Sequence, residues 1–269
     1  MKLERINSTL LTARNCREIM RKPLPTCVAI FTLAVFSSLF CTFSNSRVNI
    51  VSFSLYGDSE RYVSGALANA ILIRWAYPGW VMRVYYDNSV APGTIRELDE
   101  KGVQLIDMTQ SGMNPMNWRF LSASDASVDV SCFRDVDSRL TLREYAAVSV
   151  WLKRPEGAHM IRDHPGHRNH PLMGGMWCVK RGVLRDMNEL IEDYPKVSHF
   201  NADQEFLRDV IWPRVSSSIL QHVAFGCDIW PKTLPMPTPR VGSEYVGAVY
   251  INGMLQYADS LTPDECKAV

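Results

Sequence analysis

The sequence predicts an α/β fold with a mostly parallel sheet flanked by helices, preceded by one N-terminal transmembrane helix. Two observations carry this prediction. Strand and helix patterns alternate over about a hundred residues after position 48, an order typical of a doubly wound sheet. Ahead of them no charged residue occurs from Pro23 to Ser46, and a helix of 24 residues is long enough to span a bilayer core. The expected domains are a tail over 1–23, a membrane segment over 24–46 and a globular part over 47–269.

The charge distribution predicts the orientation of the membrane segment. Six basic and two acidic residues precede Pro23, and the positive-inside rule places such a flank in the cytoplasm. The predicted protein is therefore a single-pass type II protein with a lumenal globular part. A cleaved signal peptide and a soluble chain are the alternatives. The whole chain has 29 basic and 28 acidic residues, a balance that argues against a nucleic-acid partner.

Four cysteines fall in the expected lumenal part: Cys132, Cys178, Cys227 and Cys266. Four thiols permit three complete pairings. Cys132 and Cys178 lie inside apolar runs, and the favoured expectation is that these two are buried free thiols.

Each element of the predicted sheet has its own signature. Residues 49–56 are rich in β-branched and aromatic side chains and stop at Gly57, which predicts a strand. Helical spacing of apolar residues over 62–77 ends at Pro78-Gly79, a helix stop signal. The same patterns predict strands over 81–86, 103–108 and 128–133, and helices over 94–101, 118–123 and 142–152.

The sharpest chemical pattern follows the fourth predicted strand. Asp135 and Asp137 lie two residues apart just after residues 128–133, and such sheets bind ligands at the carboxyl ends of their strands. Mg²⁺ and Mn²⁺ prefer oxygen ligands and commonly bind one or two carboxylates plus substrate phosphates. This aspartate pair predicts a metal and diphosphate site, with an ordinary solvated loop as the alternative.

Eight short segments occur in order along the globular part. They are Tyr56-Gly57-Asp58, Tyr77-Pro78-Gly79-Trp80, Tyr86-Asp87-Asn88-Ser89, Trp118-Arg119-Phe120-Leu121, Phe133 to Arg139, Arg162-Asp163-His164-Pro165, Gly174-Gly175-Met176-Trp177 and Asp203 to Leu207. Together they resemble the GT-A glycosyltransferase-like family of nucleotide-diphospho-sugar transferases and, more distantly, the glycogenin-type transferases. The resemblance implies an enzyme that moves a monosaccharide from a nucleotide-diphosphate sugar, most commonly a UDP-sugar, to a hydroxyl of a glycan, protein or lipid. With the short tail and single anchor, it also implies a Golgi or related secretory membrane.

The resemblance gives each candidate residue a role. Asp135 and Asp137 would hold Mn²⁺ or Mg²⁺, with His222 as a third ligand. Tyr56 would lie against the nucleotide base, and Arg119 would approach the donor diphosphate, where a guanidinium group suits bidentate contacts. The donor-binding set is Tyr56, Asp87, Arg119, Gly174, Gly175 and Trp177, and the catalytic set is Asp203 and Gln204.

Two of these assignments keep alternatives. Asp203 is a general base for the acceptor hydroxyl in an inverting reaction, or an orienting group in a retaining one. The helix that opens at Asp203-Gln204 is expected to continue to Ile211, with Asn201 as its cap. Gly174 and Gly175 indicate close backbone approach beside Trp177, which forms either the wall of a sugar pocket or a tight strand crossing.

Two rival hypotheses stay open. His164, His167 and His170 offer ligands to a zinc or iron hydrolase, although the intervening prolines prevent a helix that would align them. The other rival is a membrane-anchored GT-A protein that binds without turnover. It is raised by the loop-rich region after Phe225, where a lid over the acceptor could be abbreviated before a predicted strand at 245–251.

Overall fold

The computed structural model describes residues 47–195, 199, 201–256 and 266. The expected tail over 1–23 and membrane segment over 24–46 lie outside the described residues. Among the helices of the described part, none is long and apolar enough to cross a membrane.

The described residues form an eight-stranded sheet in the order β3-β2-β1-β4-β6-β5-β7-β8. β6 runs antiparallel to β4 and β5, and the other neighbouring pairs are parallel. The expectation of a mostly parallel α/β sheet flanked by helices is therefore confirmed. The strands are β1 (Val48–Leu55), β2 (Val81–Tyr86), β3 (Gln104–Asp107), β4 (Val128–Phe133), β5 (Ala158–Arg162), β6 (Trp177–Lys180), β7 (Ile219–Val223) and β8 (Thr233–Pro235).

The helices connect these strands close to the predicted positions. They are α1 (Glu60–Ala76), α2 (Pro92–Glu100), a 3₁₀ helix (Pro115–Ser124), α3 (Leu142–Leu152), α4 (Met187–Asp193), α5 (Ala202–Phe206) and α6 (Trp212–Val215). The helix expected to run to Ile211 is α-helical to Phe206 and then a π-helical turn over Leu207–Ile211. Asn201 does not cap it as predicted, because its backbone is left-handed (φ 77°) and its side chain makes no capping hydrogen bond.

The core consists of two apolar clusters that hold the strand ends. One packs α1 and α2 against β1 and β2 and includes Phe53 and Leu98. The other joins β5 and β6 to the 3₁₀ helix and α4 and includes Phe120 and Phe133. Burying one large apolar side chain contributes about 1.5–3 kcal/mol, so these clusters fix the end of β4, where the aspartate pair follows Phe133.

The cysteines differ from the sequence-based expectation. Cys132 and Cys178 are disulfide-bonded, with their Cα atoms 4.0 Å apart, and so are Cys227 and Cys266. The prediction of buried free thiols at 132 and 178 is wrong because β6 returns antiparallel to β4 and sets Cys178 directly opposite Cys132.

The C-terminal segment returns to the aspartate pair. The strand expected over 245–251 is reduced to β9 (Tyr250–Ile251), which forms a hairpin with β10 (Met254–Leu255). Val249 forms a β-bridge with Ser138, and the Tyr250 amide donates to the Asp137 carbonyl at 2.9 Å. The region that was expected to be loop-rich thus covers the loop after β4.

Candidate active site

A cleft of about 300 Å³ lies at the carboxyl ends of β1 and β4. Five of the predicted residues line it: Tyr56, Arg119, Asp135, Asp137 and Asp203. Six lining residues are not among the predicted site residues: Ser54, Arg61, Tyr62, Met116, Val136 and Val249. Arg61 and Tyr62 begin α1 just beyond the first strand, a position that could have drawn attention to them, whereas Val249 carries no chemical signal.

Arg119 connects two acidic groups of the cleft. Its Nη2 donates to Asp203 Oδ2 at 2.6 Å and lies 3.3 Å from Asp135 Oδ1. Two serines of β1 fix its backbone: the Arg119 amide donates to Ser54 Oγ at 3.0 Å, and Ser52 Oγ donates to the Arg119 carbonyl at 2.7 Å. The strand therefore sets the position from which this buried guanidinium group reaches the cleft.

Gly174 and Gly175 let the backbone approach these charged groups. A Cβ on Gly174 would stand 2.2 Å from Arg119 Nη2 and 2.5 Å from Asp203 Oδ2, and one on Gly175 would stand 2.2 Å from Asp135 Oδ2. Any larger residue at either position would displace the groups that line the cleft.

Gln204 holds this glycine segment rather than facing the cleft. Its side-chain oxygen accepts from the Gly174 amide at 2.9 Å, and its side-chain nitrogen donates to the Leu172 carbonyl at 3.3 Å. The structure thus gives Gln204 a positioning contact beside Asp203, whose carboxylate does line the cleft.

The aspartate pair is asymmetric. The Asp135 side chain is 48% exposed, whereas Asp137 is buried and accepts from Arg61 Nε at 2.7 Å. Burial is the main cause that raises the pKa of Asp137, and the negative charge of Asp135 raises it further. The Arg61 guanidinium group opposes this shift. Burial likewise raises the pKa of Asp203, against the effect of Arg119.

A buried ion pair supports the aspartate pair from behind. Arg134 Nε lies 3.2 Å from Glu144 Oε2, and Arg134 Nη2 donates to the Tyr77 hydroxyl at 3.0 Å. Glu144 also closes a capping box with Thr141 at the start of α3. Charges buried this completely are stable only when paired and hydrogen-bonded, so this network ties the loop after β4 to α1 and α3.

The aspartate pair fits a hard divalent cation. Two carboxylates whose mutual repulsion raises the pKa of Asp137 are stabilised by a cation between them, and oxygen donors are what Mg²⁺ and Mn²⁺ prefer. Within the described residues no group of three or more His, Cys, Asp and Glu side chains could hold a metal. In proteins Mg²⁺ commonly binds one or two carboxylates and keeps several water or phosphate oxygens as its other ligands.

The structure corrects the assignments of His222 and Trp177. His222 lies in β7, buried, with its Nδ1 2.7 Å from His159 Nε2, and it is not a third metal ligand beside the aspartate pair. Trp177 is fully buried and packs against Phe133, with ring centroids 4.4 Å apart. It therefore belongs to a tight strand crossing and does not wall a sugar pocket.

Tyr56 and Asp87 have different relations to the cleft. Tyr56 lines it, is 38% exposed and makes an edge contact with Trp118, with ring centroids 6.1 Å apart. Asp87 lies in the turn after β2, where it accepts from the Ser89 amide at 3.1 Å. Ser89 Oγ in turn accepts from the Gly57 amide at 2.7 Å. Asp87 does not line the cleft. Its role in the structure is to order the turn beside Tyr56.

The histidine loop does not form a metal centre in the described structure. His164 Nδ1 accepts from the Gly166 amide at 3.0 Å, and the His164 ring stacks on Tyr245. His167 is buried, which lowers its pKa to about 3. No metal-binding group of side chains includes these histidines in the described part of the chain.

No protein-family model and no curated protein sequence matches this chain. Solved structures with a similar chain path include glucosyl-3-phosphoglycerate synthase from Mycobacterium tuberculosis in complex with Mn²⁺, UDP-Glc and phosphoglyceric acid (16% identity, 66% of this chain and 69% of that chain, TM-score 0.44). Another is mannosyl-3-phosphoglycerate synthase from Rubrobacter xylanophilus (14% identity, 65% of each chain, TM-score 0.45). A third is a mannosyltransferase from Pyrobaculum calidifontis in complex with GDP-Man and Mn²⁺ (15% identity, 73% of this chain and 58% of that chain, TM-score 0.45). The substrates named are properties of those proteins.

Proposed function

We propose that this protein is a metal-dependent glycosyltransferase that moves a monosaccharide from a nucleotide-diphosphate sugar to a hydroxyl of a glycan, protein or lipid. One observation carries the proposal. Asp135, Asp137, Arg119 and Asp203 come from separate parts of the chain and meet in one cleft at the carboxyl ends of β1 and β4. This edge of a parallel sheet is where α/β folds bind their ligands.

The charge of the cleft supports a requirement for a cation. Its charged lining consists of three carboxylates and the guanidinium groups of Arg61 and Arg119. This net negative lining repels a diphosphate, and a divalent cation at Asp135 and Asp137 reverses the sign. When bound, the cation also stabilises the negative charge that grows on the departing nucleotide.

The other lining residues have roles that suit transfer. Arg119 presents a fixed guanidinium group to a diphosphate, because Asp203 and β1 hold it in place. Tyr56 offers a half-exposed ring for the nucleotide base. Asp203 lies beside Arg119, where it takes the acceptor proton or orients the transferred sugar. Val249 closes one side of the cleft, which favours an active enzyme over a binding protein that lacks its C-terminal cover.

The proposal extends to donor and compartment. UDP is the proposed carrier nucleotide, and we propose a type II anchor formed by residues 24–46 in a Golgi or related secretory membrane. The basic tail and the uncharged segment support the anchor. The two disulfides support a lumenal location, because disulfides persist in oxidising compartments.

Calorimetric titration of the full-length protein with UDP, GDP, CDP and ADP, with and without Mn²⁺, tests the proposal. We expect one nucleotide to bind with Mn²⁺ and to lose at least tenfold in affinity without it. Asp137→Asn removes this binding. Asp129→Asn is the matched control, because Asp129 is exposed on β4 and pairs with Arg181 at 3.0 Å, away from the cleft. A folded protein that binds none of the four nucleotides contradicts the proposal.

A further inference from the structure

One face of α1 contacts the loop that contains the aspartate pair. Arg61, Gly65 and Asn69 are spaced by four, and residues at this spacing lie on the same side of a helix. Each of the three meets the segment 136–140. This α1 face, Arg61–Gly65–Asn69, therefore holds the loop after β4 through three successive positions of one helix.

Asn69 and Gly65 fix the loop backbone. The buried Asn69 side chain donates to the carbonyls of Val136 (3.2 Å) and Ser138 (2.9 Å) and accepts from the Leu140 amide (3.1 Å). A Cβ on Gly65 would stand 2.1 Å from the Val136 carbonyl oxygen. The helix and the loop are therefore in backbone contact, and the loop has little freedom to move relative to α1.

Arg61 fixes the Asp137 side chain through one of its two oxygens. Arg61 Nε donates to Asp137 Oδ2 at 2.7 Å, and Arg61 Nη2 contacts the same Oδ2. These guanidinium contacts do not involve Oδ1. The carboxylate is thus held in one orientation through Oδ2.

We propose that Arg61 is a positioning residue for the cation ligand Asp137: it binds Oδ2 so that Oδ1 is presented to the metal. The inference rests on the proposed function, because it takes the aspartate pair as the cation site. Carboxylate ligands of metals are commonly hydrogen-bonded by a second group, and loss of that group costs about 10–100-fold in metal affinity.

Charge and position make opposite predictions for the loss of Arg61. Removing a positive charge from beside the aspartate pair by itself attracts a cation more strongly. Removing the group that orients Asp137 weakens cation binding, because the ligand must be ordered when the metal binds. A fall in affinity on removal of Arg61 therefore distinguishes a positioning residue from a competitor for the carboxylate.

The experiment measures Mn²⁺ binding by electron paramagnetic resonance on the full-length protein, alone and with UDP. The UDP concentration is ~1 mM, at the upper end of the range typical of KM values for enzymes. Arg61→Gln is compared with Arg61→Lys and with Arg74→Gln, which removes the same charge from the exposed far end of the same helix. We expect Arg61→Gln to lower Mn²⁺ affinity by about 10–100-fold and Arg61→Lys to recover part of it. Arg74→Gln should leave the affinity unchanged.

The outcomes for Arg61→Gln separate this inference from the proposed function. Equal or tighter Mn²⁺ binding by Arg61→Gln overturns the inference while leaving the proposed function intact. Normal Mn²⁺ binding without any nucleotide binding overturns the proposed function and leaves the inference standing. A wild-type protein that binds no Mn²⁺ with or without UDP overturns both.

Discussion

Gly175 lies so close to Asp135 that a single added carbon would stand 2.2 Å from its Oδ2 and 2.5 Å from its Cγ. Real Cβ contacts essentially never fall below 3.0 Å, so the exposed carboxylate of the aspartate pair keeps its place only because residue 175 has no side chain. The glycine thus shapes the proposed cation site although it offers no ligand.

Gly175→Ala should therefore damage the cation site without a backbone penalty at residue 175. Its φ lies outside the left-handed region, so the strain comes from the contact with Asp135. We expect Mn²⁺ affinity to fall at least tenfold, measured by electron paramagnetic resonance. Gly93→Ala is the matched control, because a Cβ there meets nothing closer than 3.8 Å. Equal Mn²⁺ binding by both variants would show that Asp135 is not a ligand.

Arg119→Gln should weaken nucleotide binding in the presence of Mn²⁺. A hydrogen bond to a charged group contributes about 1.5–3 kcal/mol, which corresponds to about 10–100-fold in the dissociation constant. Calorimetry with the nucleotide that the wild type binds measures the loss. Arg96→Gln on the exposed side of α2 is the control for charge. Unchanged binding would leave Arg119 as a structural partner of Asp203 alone.

Asp203→Asn separates catalysis from donor binding. Asparagine still accepts from Arg119, so the nucleotide dissociation constant should stay within about threefold, while loss of a general base lowers turnover by about 100-fold or more. Turnover is followed as release of the nucleotide from its sugar donor with acceptor present. A parallel loss of binding and turnover would instead assign Asp203 to the support of Arg119.

The sequence predicted the part of the site that local pattern determines. Two predicted strands, 81–86 and 128–133, coincide with β2 and β4, because apolar periodicity and turn residues are local signals. The aspartate pair, Arg119 and Asp203, which the sequence analysis singled out, lie together in one cleft. Parallel strands bring their carboxyl ends together at one edge, so these distant residues converge once the strands are correct.

What the sequence missed depends on long-range packing. The disulfide between Cys132 and Cys178 requires β6 to run antiparallel to β4, which composition does not reveal. His222 has the chemistry of a ligand, but its strand lies beside β5, where its ring meets His159. Arg61 is an ordinary basic residue at the start of a helix until the loop after β4 folds against it.

Asp163→Asn should destabilise the fold at the C-terminal segment. The carboxylate is fully buried, binds Arg143 through both oxygens (2.7 and 2.8 Å) and accepts from the Val246 amide at 3.0 Å. Breaking a buried ion pair by removing one charge costs about 3–5 kcal/mol. Urea denaturation measures the loss, and limited proteolysis should show earlier cleavage within residues 236–256.

Asp228→Asn is the matched control for that prediction. Asp228 pairs with Arg168 at 2.6 Å, but the two side chains are 62% and 35% exposed, and surface pairs contribute about 0–1 kcal/mol. If both variants unfold at the same urea concentration, Asp163 does not anchor the C-terminal segment, and the cover that Val249 gives to the cleft depends on other contacts.

Buried histidines should make the fold sensitive to acid. Burial lowers the pKa of His222 to about 4 and that of His167 to about 3, and burial and the neighbouring His222 hold the pKa of His159 well below its usual range. The unfolded chain binds protons at these residues below about pH 6.5, whereas the folded chain does not bind them until the pH approaches 4. The free energy of unfolding therefore rises with pH across this window and falls on acidification.

His222→Gln tests this acid sensitivity at one residue. From pH 7 to pH 5 the wild type should lose on the order of 1–2 kcal/mol of unfolding free energy per buried histidine. Glutamine cannot titrate but can still hydrogen-bond to His159. Between pH 7 and pH 5 the variant should therefore lose about 1–2 kcal/mol less unfolding free energy than the wild type. Urea unfolding at pH 7, 6 and 5 measures the slope. His170→Gln, at an exposed position, should keep the wild-type slope. An unaltered slope in His222→Gln would mean that acid acts through a buried carboxyl such as Glu144, because burial raises the pKa of Glu144 and its protonation breaks the ion pair with Arg134 behind the loop after β4.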